Sequence, residues 1–261
     1  MNAPPNPLEM LAVCLSHCIR DDEAVYVGTG LPLVGGLLAK ATHAPSSTLV
    51  FESGAQDPVF RQQMPWSVAC PWTYYRSPLI LDMASSFGQC AAGYVDVGFL
   101  GGAQVDMYGN INTTVIGSME NVQSRLTGSG GGNDLGSLCN RIVVVGLQMP
   151  NKFPERVDFI TTPGYLTGGK SRAEAGLAGE GPWRVVTQLG VYGFEPESKR
   201  MMAITLNPGV TPEMVRQFTG FEVLIPEDVG VTPLPTPEEL HILRTQVDTR
   251  QVFTAFPPRN A

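Results

Sequence analysis

Three short glycine-rich turns follow apolar segments of the chain, and one of them carries an acid. The turns are Gly28-Thr29-Gly30, Glu52-Ser53-Gly54 and Gly101-Gly102-Ala103. In open α/β sheets, ligands bind outside the carboxyl ends of the strands, where such turns lie. A carboxylate in such a turn is suited to attack an acyl group, because covalent catalysis divides one difficult exchange into easier steps. On the residues alone, the commoner alternative is favoured, in which Glu52 is a solvent-exposed acid at a strand end.

A second glycine-rich pattern has the written form of a phosphate-binding P-loop, G-x4-G-K-S. It runs from Gly164 to Ser171. The motif needs a preceding strand and a long following helix, so that backbone N–H groups and the helix dipole meet the phosphates. Residues 172–182 contain three glycines and a proline, which leaves room for only about two helical turns. We therefore predict a surface loop here and not a nucleotide triphosphatase site.

A third glycine-rich stretch, Gly128-Ser129-Gly130-Gly131-Gly132-Asn133, has no charged side chain. Successive backbone N–H groups in such a loop can bind a phosphate or a carboxylate. The same composition is also typical of a permissive turn. The residues leave both alternatives open.

Metal-binding chemistry has one candidate, the group Cys14, His17 and Cys18. No second Cys or His pair follows, and cysteines four apart on a helix more often face the core. The five cysteines are odd in number and scattered, which is typical of reduced thiols in a cytoplasmic protein. We therefore predict a cytoplasmic protein without a metal site.

Apolar periodicity predicts the elements that position these residues. Helices are predicted at 7–20, 31–41, 211–219 and 236–247, and strands at 24–27, 48–51, 95–100, 141–145, 157–160, 184–187 and 201–205. The last two helices each open with Thr-Pro, which places Thr at the cap and Pro at the first helical position. Alternating apolar strands and helices predict an α/β fold with a mostly parallel central sheet and helices on both faces. No boundary is visible, so we predict one domain over 1–261.

Composition excludes several classes of function. The 261 residues are 43% hydrophobic and 16% charged, with a net charge of −7. No basic cluster exists that could neutralise nucleic-acid phosphates. No apolar run reaches the length of a membrane span, and residues 1–7 lack the features of a signal peptide. The low charge slightly favours a surface hidden in a partner.

Several segments, taken together and in order, resemble the β subunits of the class I coenzyme A transferase family, of the glutaconate type. The segments are Val27–Leu33, Glu52-Ser53-Gly54, Gly101–Asp106, Tyr108–Asn112, Thr127–Gly131, Thr162-Pro163-Gly164, Gly190-Val191 and Pro208-Gly209-Val210. One glycine motif alone would be a weak signal. An ordered set that covers almost the whole chain is a strong one.

This resemblance implies a fold, a reaction and a partner. The fold is the NagB/RpiA/CoA transferase-like fold. The reaction moves coenzyme A between carboxylic acids through a glutamyl-CoA thioester on Glu52, so acyl-CoA is a substrate and no cofactor is permanently bound. The partner is a homologous α subunit in an α2β2 heterotetramer, with the active site between the two kinds of subunit.

The resemblance also implies contacts for the substrate. Gly102 and Ala103 are predicted to offer backbone N–H groups to an oxyanion or thioester, with Gln104 as a polar contact. Alternatively, these small residues only form a tight turn. The acyl or pantetheine channel is predicted to be lined by Gly28, Gly30, Gly128, Ser129, Gly130 and Gly131. Ser53 is a further substrate-site candidate, which either positions Glu52 by a hydrogen bond or only stabilises the turn. Arg61, Arg76 and Arg125 are candidates to anchor a dicarboxylic acid, although each is more often a surface charge.

Two other functions stay open at this point. Some relatives with the same scaffold open a ring by hydrolysis or decarboxylate an acyl thioester. In those relatives the glutamate of this turn is replaced or relocated, whereas Glu52-Ser53-Gly54 stands intact here. The other alternative is a catalytically idle subunit that completes its partner's site, and the intact Glu52 argues against it.

Overall fold

The computed structural model describes residues 3–60 and 64–256. The helices are α1 (Pro7–Ser16), α2 (Leu31–Ala41), α3 (Met83–Ala91), α4 (Gly132–Leu138), α5 (Ser171–Glu174), α6 (Pro212–Gln217) and α7 (Pro237–Ile242), with a 3₁₀ turn at Pro71–Tyr74 and a π-helical turn at Leu243–Val247. The strands are β1 (Ala24–Tyr26), β2 (Thr48–Val50), β3 (Ala55–Gln56), β4 (Leu79–Ile80), β5 (Val97–Gly101), β6 (Gln104–Val105), β7 (Ile111–Asn112), β8 (Val115–Gly117), β9 (Val122–Arg125), β10 (Arg141–Val145), β11 (Gly181–Val186), β12 (Gly190–Phe194), β13 (Met201–Leu206) and β14 (Gly230–Val231).

The chain forms two compact units. The first contains the residues up to Phe99 and those from Pro233 onward, and the second is Leu100–Thr232. The prediction of one domain over 1–261 stays a prediction, because this grouping does not show whether the two units fold independently.

In the sheet of the first unit, the central strands are parallel and the strands at one edge are antiparallel. Strand β1 pairs in parallel with β2 and β5, and β3 and β4 continue the sheet in antiparallel fashion beyond β2. Val25 and Leu49 on the central strands are fully buried, as expected for parallel strands covered on both faces. The turns that begin at Gly28 and Glu52 therefore follow the carboxyl ends of two neighbouring parallel strands.

Helices α1, α2 and α7 pack into the core of the first unit. Helix α1 begins with a capping box, in which the Asn6 side chain accepts N–H groups of Leu8 and Glu9 and the Glu9 carboxylate accepts the N–H of Asn6. A Cβ atom on Gly35 of α2 would lie 2.7 Å from Leu15 Cβ of α1, so glycine permits this close helix contact. Arg244 ties the carboxyl-terminal segment to α1 through a buried ion pair with Glu9, with Nε 2.7 Å from Oε1.

The second unit has its own run of strands in the order β10, β11, β12, β13, β14. The β10/β11 and β13/β14 pairs are parallel, and β12 is antiparallel to both of its neighbours. Two small antiparallel ladders, β6/β7 and β8/β9, lie outside this run. Strand β10 consists of β-branched residues after Arg141, and its last four residues are buried.

The predicted α/β fold with a mainly parallel central sheet and helices is confirmed, and so are the Thr caps. Thr211 Oγ1 accepts the N–H of Met214, and Thr236 Oγ1 accepts that of Glu239. The predicted strand at 157–160 is wrong, since no strand forms there and Phe159 and Ile160 are exposed. The first helix ends at Ser16, four residues before its predicted end.

The segment 55–90 gave no clear pattern in the sequence, yet it contains helix α3. Asp82 caps this helix by accepting the N–H of Ser85. Within the described ranges 3–60 and 64–256, every helix is too short or too polar to cross a lipid bilayer.

Candidate active site

The turn that carries Glu52 is held by its backbone. The carbonyl of Phe51 accepts the N–H of Gly54 at 2.9 Å and the Ser86 hydroxyl at 3.3 Å. The N–H of Phe51 donates to the carbonyl of Ala55 at 2.9 Å, and the Phe51 ring is fully buried. The residue before Glu52 is thus fixed on both sides, which sets the direction in which the glutamate leaves the strand.

Gly54 completes this turn and tolerates no side chain. Its φ is +91°, and a Cβ atom would lie within 2.5 Å of both the carbonyl carbon and the carbonyl oxygen of Leu81. The N–H of Leu81 donates to the Gly54 carbonyl at 2.9 Å. The backbone at 81 therefore passes directly against the turn, and only glycine allows that approach.

Two polar groups in the turn are left uncommitted. The Glu52 carboxylate is partly exposed, and no hydrogen-bond or ion-pair partner for it occurs among the described residues. The Ser53 hydroxyl oxygen is buried and also has no partner there. Buried hydroxyls without a partner are rare in folded proteins, and a catalytic role is one of the explanations for them, beside an ordered water or ion.

The neighbouring turn, at the end of β1, is open. No heavy atom of the described residues lies within 4 Å of the position that a Cβ on Gly28 would occupy. Gly30 has a φ of +85° and precedes α2 as its N-cap residue. The prediction that these two glycines line a channel stays a prediction.

In the second unit, the Gly102 turn is folded onto strand β7. Gly102 is exposed, and a Cβ on it would collide with the Ile111 side chain at 2.2 Å. The N–H of Ala103 donates to the Asn112 carbonyl at 2.9 Å. In this structure the Ala103 N–H group is therefore engaged within the turn, and its assignment as an oxyanion donor stays a prediction.

The Gln104 side chain is buried in a polar network. Its Oε1 accepts from Asn112 Nδ2 at 2.7 Å and from the Asp158 N–H at 3.0 Å, and its Nε2 donates to Asp158 Oδ2 at 3.0 Å. The same Asp158 oxygen accepts the N–H of Gly117 at 3.0 Å. This network fixes the strand that follows the Gly102 turn, whereas the predicted substrate contact of Gln104 remains untested.

The glycine-rich loop lies beside the same turn. The N–H of Gly128 donates to the Thr113 carbonyl at 2.7 Å. Ser129 Oγ accepts the N–H of Asn133 at 3.1 Å, so this loop begins helix α4, with Gly131 as its N-cap residue. The structure thus brings Gly102, Ala103 and Gly128 together around Thr113, a residue that the sequence analysis did not select.

The candidate cationic anchors belong to different parts of the chain. Arg76 has a φ of +54°, and its guanidinium lies 5.6 Å from the centre of the Tyr75 ring. Arg125 is exposed on β9. Arg61 lies outside the described residues. These contacts do not test the predicted role of Arg76 and Arg125 as anchors for a substrate carboxylate, which stays a prediction.

The P-loop-like stretch uses its own N–H groups internally. Asn110 Oδ1 accepts the N–H groups of Gly164 and Leu166 at 2.8 and 3.1 Å. The N–H groups of Gly168 and Gly169 donate to the carbonyls of Tyr165 and Ser198 at 2.7 and 3.1 Å. The helix that follows, α5, has only four residues. The predicted loop is confirmed, and its donors do not point to a common anion site.

The thiols are buried. All five cysteines are reduced thiols that form no disulfide among the described residues, and burial raises the pKa of the Cys14 thiol to about 11. Within the described part of the chain, no three His, Cys, Asp or Glu side chains group together as metal ligands.

Comparison with known proteins extends this picture. The Coenzyme A transferase family matches residues 8–217. The B subunit of glutaconate CoA-transferase from Acidaminococcus fermentans is 34% identical over 257 residues, which is 95% of each chain. The crystal structure of that organism's glutaconate coenzyme A-transferase superposes with a TM-score of 0.89 at 32% identity, covering 97% of this chain and 98% of that one.

Two further relatives are named for different activities. The B subunit of 3-oxoadipate CoA-transferase from Pseudomonas knackmussii is 34% identical over 239 residues, 90% of this chain and 91% of the relative. The IpdB subunit of the cholesterol ring-cleaving hydrolase from Mycobacterium tuberculosis is 29% identical over 251 residues, 94% of this chain and 95% of the relative.

The fold and the length of these matches define a class: the chain belongs to the coenzyme A transferase family. Within that family it is a β subunit of the CoA-transferase type, since it aligns over nearly its full length with the B subunits of two such enzymes.

Proposed function

We propose that this chain is the β subunit of an enzyme that moves coenzyme A from one carboxylic acid to another, with Glu52 as the carboxylate that carries the acyl group and then coenzyme A. The observation that carries this proposal is the partly exposed Glu52 carboxylate, which has no partner among the described residues, in a turn whose backbone is fixed by hydrogen bonds. The fixed backbone sets where the side chain starts, and the carboxylate is not engaged by another group of the described residues, so it is free to meet a substrate.

The chemistry requires a reversible acyl carrier. The Glu52 carboxylate attacks the thioester carbonyl, the carbon–sulfur bond breaks, and a mixed anhydride and coenzyme A thiolate result. The thiolate then attacks the glutamyl carbonyl and releases the first carboxylate, leaving a glutamyl-CoA thioester. The second carboxylic acid reverses these steps. Water is not consumed at any point, so the free energy of the thioester is retained.

The partner in this proposal is a homologous α subunit, in an α2β2 complex. The two relatives at 34% identity are both B subunits by name. In the first unit, several large apolar side chains are exposed between residues 66 and 83, on either side of Leu81, which contacts the Glu52 turn: Trp66 80%, Trp72 49%, Ile80 53% and Met83 53%. Exposed apolar groups of this kind are typical of a surface that a partner covers.

For the substrates, we propose a dicarboxylic acid and its coenzyme A thioester, because the two relatives at 34% identity are named for glutaconate and 3-oxoadipate. We place the thioester contacts at Gly102, Ala103 and Gln104. We place the coenzyme channel at Gly28, Gly30, Ser53 and the 128–131 loop. Coenzyme A acts as a substrate, and the proposal involves no resident cofactor.

The test uses the chain produced together with its homologous α subunit. Acyl-CoA and acetate are supplied, and acetyl-CoA is measured. We expect acetyl-CoA formation by the wild-type complex and a loss of roughly 10⁴-fold or more in Glu52→Ala, because a covalent carrier has no substitute. Glu227→Ala, which removes an exposed acid elsewhere, is the matched control and should retain full activity.

Trapping gives an independent readout. Borohydride added with acyl-CoA should reduce the glutamyl thioester and change the mass of the peptide that contains Glu52. Full transfer activity in Glu52→Ala, or an unmodified Glu52 peptide, would refute the mechanism. Release of coenzyme A that does not depend on acetate would identify a hydrolase, the activity for which the 29% identical relative is named. Release of carbon dioxide would identify a decarboxylase.

A further inference from the structure

Gly28 and Glu52 occupy equivalent positions on two neighbouring parallel strands of the first unit. Tyr26 of β1 lies opposite Val50 of β2, and the N–H of Val27 donates to the Val50 carbonyl at 2.9 Å, so the ladder continues past this pair. Gly28 and Glu52 each come two positions after the pair. Since neighbouring strands are about 5 Å apart, the two residues lie side by side at the carboxyl ends of β1 and β2.

Helices α2 and α3 cover opposite faces of strand β1. Val27 faces α2, because its Cγ1 lies 3.5 Å from the position that a Cβ on Gly36 would occupy. The preceding residue, Tyr26, faces α3, where its ring stacks on Phe87 with the ring centres 5.6 Å apart and the planes at 16°. Successive side chains along a strand alternate between the two faces. A side chain at position 28 would therefore point to the α3 face, as that of Tyr26 does.

The Glu52 side chain leaves β2 on the same face, because residues in register on parallel strands point to the same side. One residue of α3 joins the two strand ends on this face. The Ser86 hydroxyl lies 3.3 Å from the Tyr26 hydroxyl and donates to the carbonyl of Phe51, the residue before Glu52, at 3.3 Å. The space in front of Gly28 therefore lies beside Glu52 and next to the Tyr26 ring.

The space in front of Gly28 is open and has an apolar inner side. Among residues 3–60 and 64–256, no heavy atom comes within 4 Å of the position of an added Cβ, and the φ of Gly28 lies outside the left-handed region that favours glycine. Neither packing nor backbone conformation therefore requires glycine here. The next side chains toward the core on this face are the aromatic pair of Tyr26, which is 2% exposed, and the half-buried Phe87. Aromatic walls of this kind suit a hydrocarbon chain.

We propose that Gly28 determines which acyl groups the site accepts, because its missing side chain leaves room beside the Glu52 carboxylate for the acyl chain beyond its α-carbon. The carbonyl carbon that Glu52 attacks carries two groups, the acyl chain and the sulfur of the coenzyme. The acyl chain is short and suits a space bounded inward by aromatic rings, whereas the long pantetheine arm must continue to solvent. This inference rests on the proposed function for the position of the reacting carbon.

The test fills the space and measures the selection of acyl groups. Acetyl-CoA, pentanoyl-CoA or glutaryl-CoA is mixed with an excess of the complex with the α subunit, without an acceptor acid, and the rate constant of acyl-CoA consumption is measured. We expect the ratio of the glutaryl-CoA to the acetyl-CoA rate constant to fall roughly 10-fold in Gly28→Ala and roughly 100-fold in Gly28→Val, since small changes of volume in a pocket have effects of this size. Pentanoyl-CoA should follow glutaryl-CoA, because the effect depends on volume and not on charge.

The control is a second glycine with an equally open position. Gly88 lies on the exposed side of α3, and no described atom is within 4 Å of an added Cβ there. Gly88→Ala should keep the wild-type ratio. The Tm of Gly28→Ala should equal or slightly exceed that of wild type, because the added methyl group meets no atom of the fold and restricts the unfolded chain.

Several outcomes would overturn the role of Gly28. Equal losses with all three thioesters in Gly28→Ala would place the pantetheine arm, and not the acyl chain, in this space. An unchanged ratio, or pentanoyl-CoA behaving like acetyl-CoA, would show that acyl volume is not selected at this position. A clear fall in the Tm of Gly28→Ala would show that the fold itself needs the empty position.

The readout also separates this inference from the proposed function, because transfer and hydrolysis both consume acyl-CoA in a single turnover. An unchanged ratio in a complex that transfers through Glu52 overturns the role of Gly28 alone. A ratio that falls in a complex without acetate-dependent transfer supports the role of Gly28 and refutes the transfer function.

Discussion

The turn 52–54 and the loop 164–171 differ in where their polar groups are used. The loop matches a phosphate-binding pattern by sequence, yet Asn110 Oδ1 and nearby carbonyls accept its N–H groups. The turn matches no general motif, yet the Glu52 carboxylate and the Ser53 hydroxyl lack partners among the described residues. The spacing of glycines alone therefore does not identify a ligand site, because the fold decides which polar groups are used internally.

Arg172 holds the loop internally through its two terminal amino groups, whereas its buried Nε has no partner among the described residues. Its guanidinium is buried and donates to the carbonyls of Pro163, Gly164, Gly136 and Ala178. Burial lowers the pKa of Arg172, with the nearby Tyr165 opposing that effect. The four hydrogen bonds of its terminal amino groups tie the loop to helix α4 and to the segment that follows α5.

The largest expected effect on stability concerns the glycine of the turn. Gly54→Ala places a methyl group against the Leu81 carbonyl at a φ of +91°. We expect a loss of about 3–5 kcal/mol in the free energy of unfolding, because steric overlap adds to backbone strain. Urea denaturation measures it. Gly88→Ala, in helix α3 with no described atom within 4 Å of the added carbon, should be neutral or slightly stabilising. Equal stability of the two variants would show that the turn is not rigid.

The next effect concerns the buried cation of the loop. Arg172→Ala leaves several buried carbonyls without donors, and we expect a loss of about 3 kcal/mol in the free energy of unfolding. Lys170→Ala removes an exposed cation two residues earlier and should change stability by less than about 0.5 kcal/mol. Thermal unfolding of both variants measures this difference in stability. A destabilised Lys170→Ala with an unaffected Arg172→Ala would reverse the assignment.

The smallest expected effect comes from replacing one serine in each of the two regions. This pair of variants tests the contrast between the loop and the turn most directly. Ser171 Oγ lies 2.7 Å from the carbonyls of both Tyr165 and Gly168, so Ser171→Ala should cost about 1–2 kcal/mol. Ser53 Oγ has no such acceptor in the described part of the chain, and Ser53→Ala should lie within about 0.5 kcal/mol of wild type in urea denaturation. If Ser53→Ala is the more destabilising of the two, the Ser53 hydroxyl has a structural partner and the contrast between the regions is lost.

Sequence reasoning succeeded where local chemistry dominates. Helix α2 has the predicted bounds Leu31–Ala41, strand β10 the predicted bounds Arg141–Val145, and the Thr caps of α6 and α7 form as expected. The strand predicted at 157–160 failed. Asp158 there is tied to Gln104 and Gly117, so side-chain bonds from distant residues replace a strand ladder. The periodicity of apolar residues contains no information about hydrogen bonds between residues that are far apart in the chain.

The sequence by itself determined the family, the α/β class and the position of Glu52 at the end of a central strand, because these depend on residue order and local pattern. Only the tertiary structure decided which donors remain free. Ala103 is engaged by Asn112, the P-loop-like stretch is engaged by Asn110, and the hydroxyls of Ser53 and Thr113 are buried without partners among residues 3–60 and 64–256. These hydrogen bonds join residues that are far apart in the chain, and the spacing of residues in the sequence does not predict which donor will pair with which acceptor.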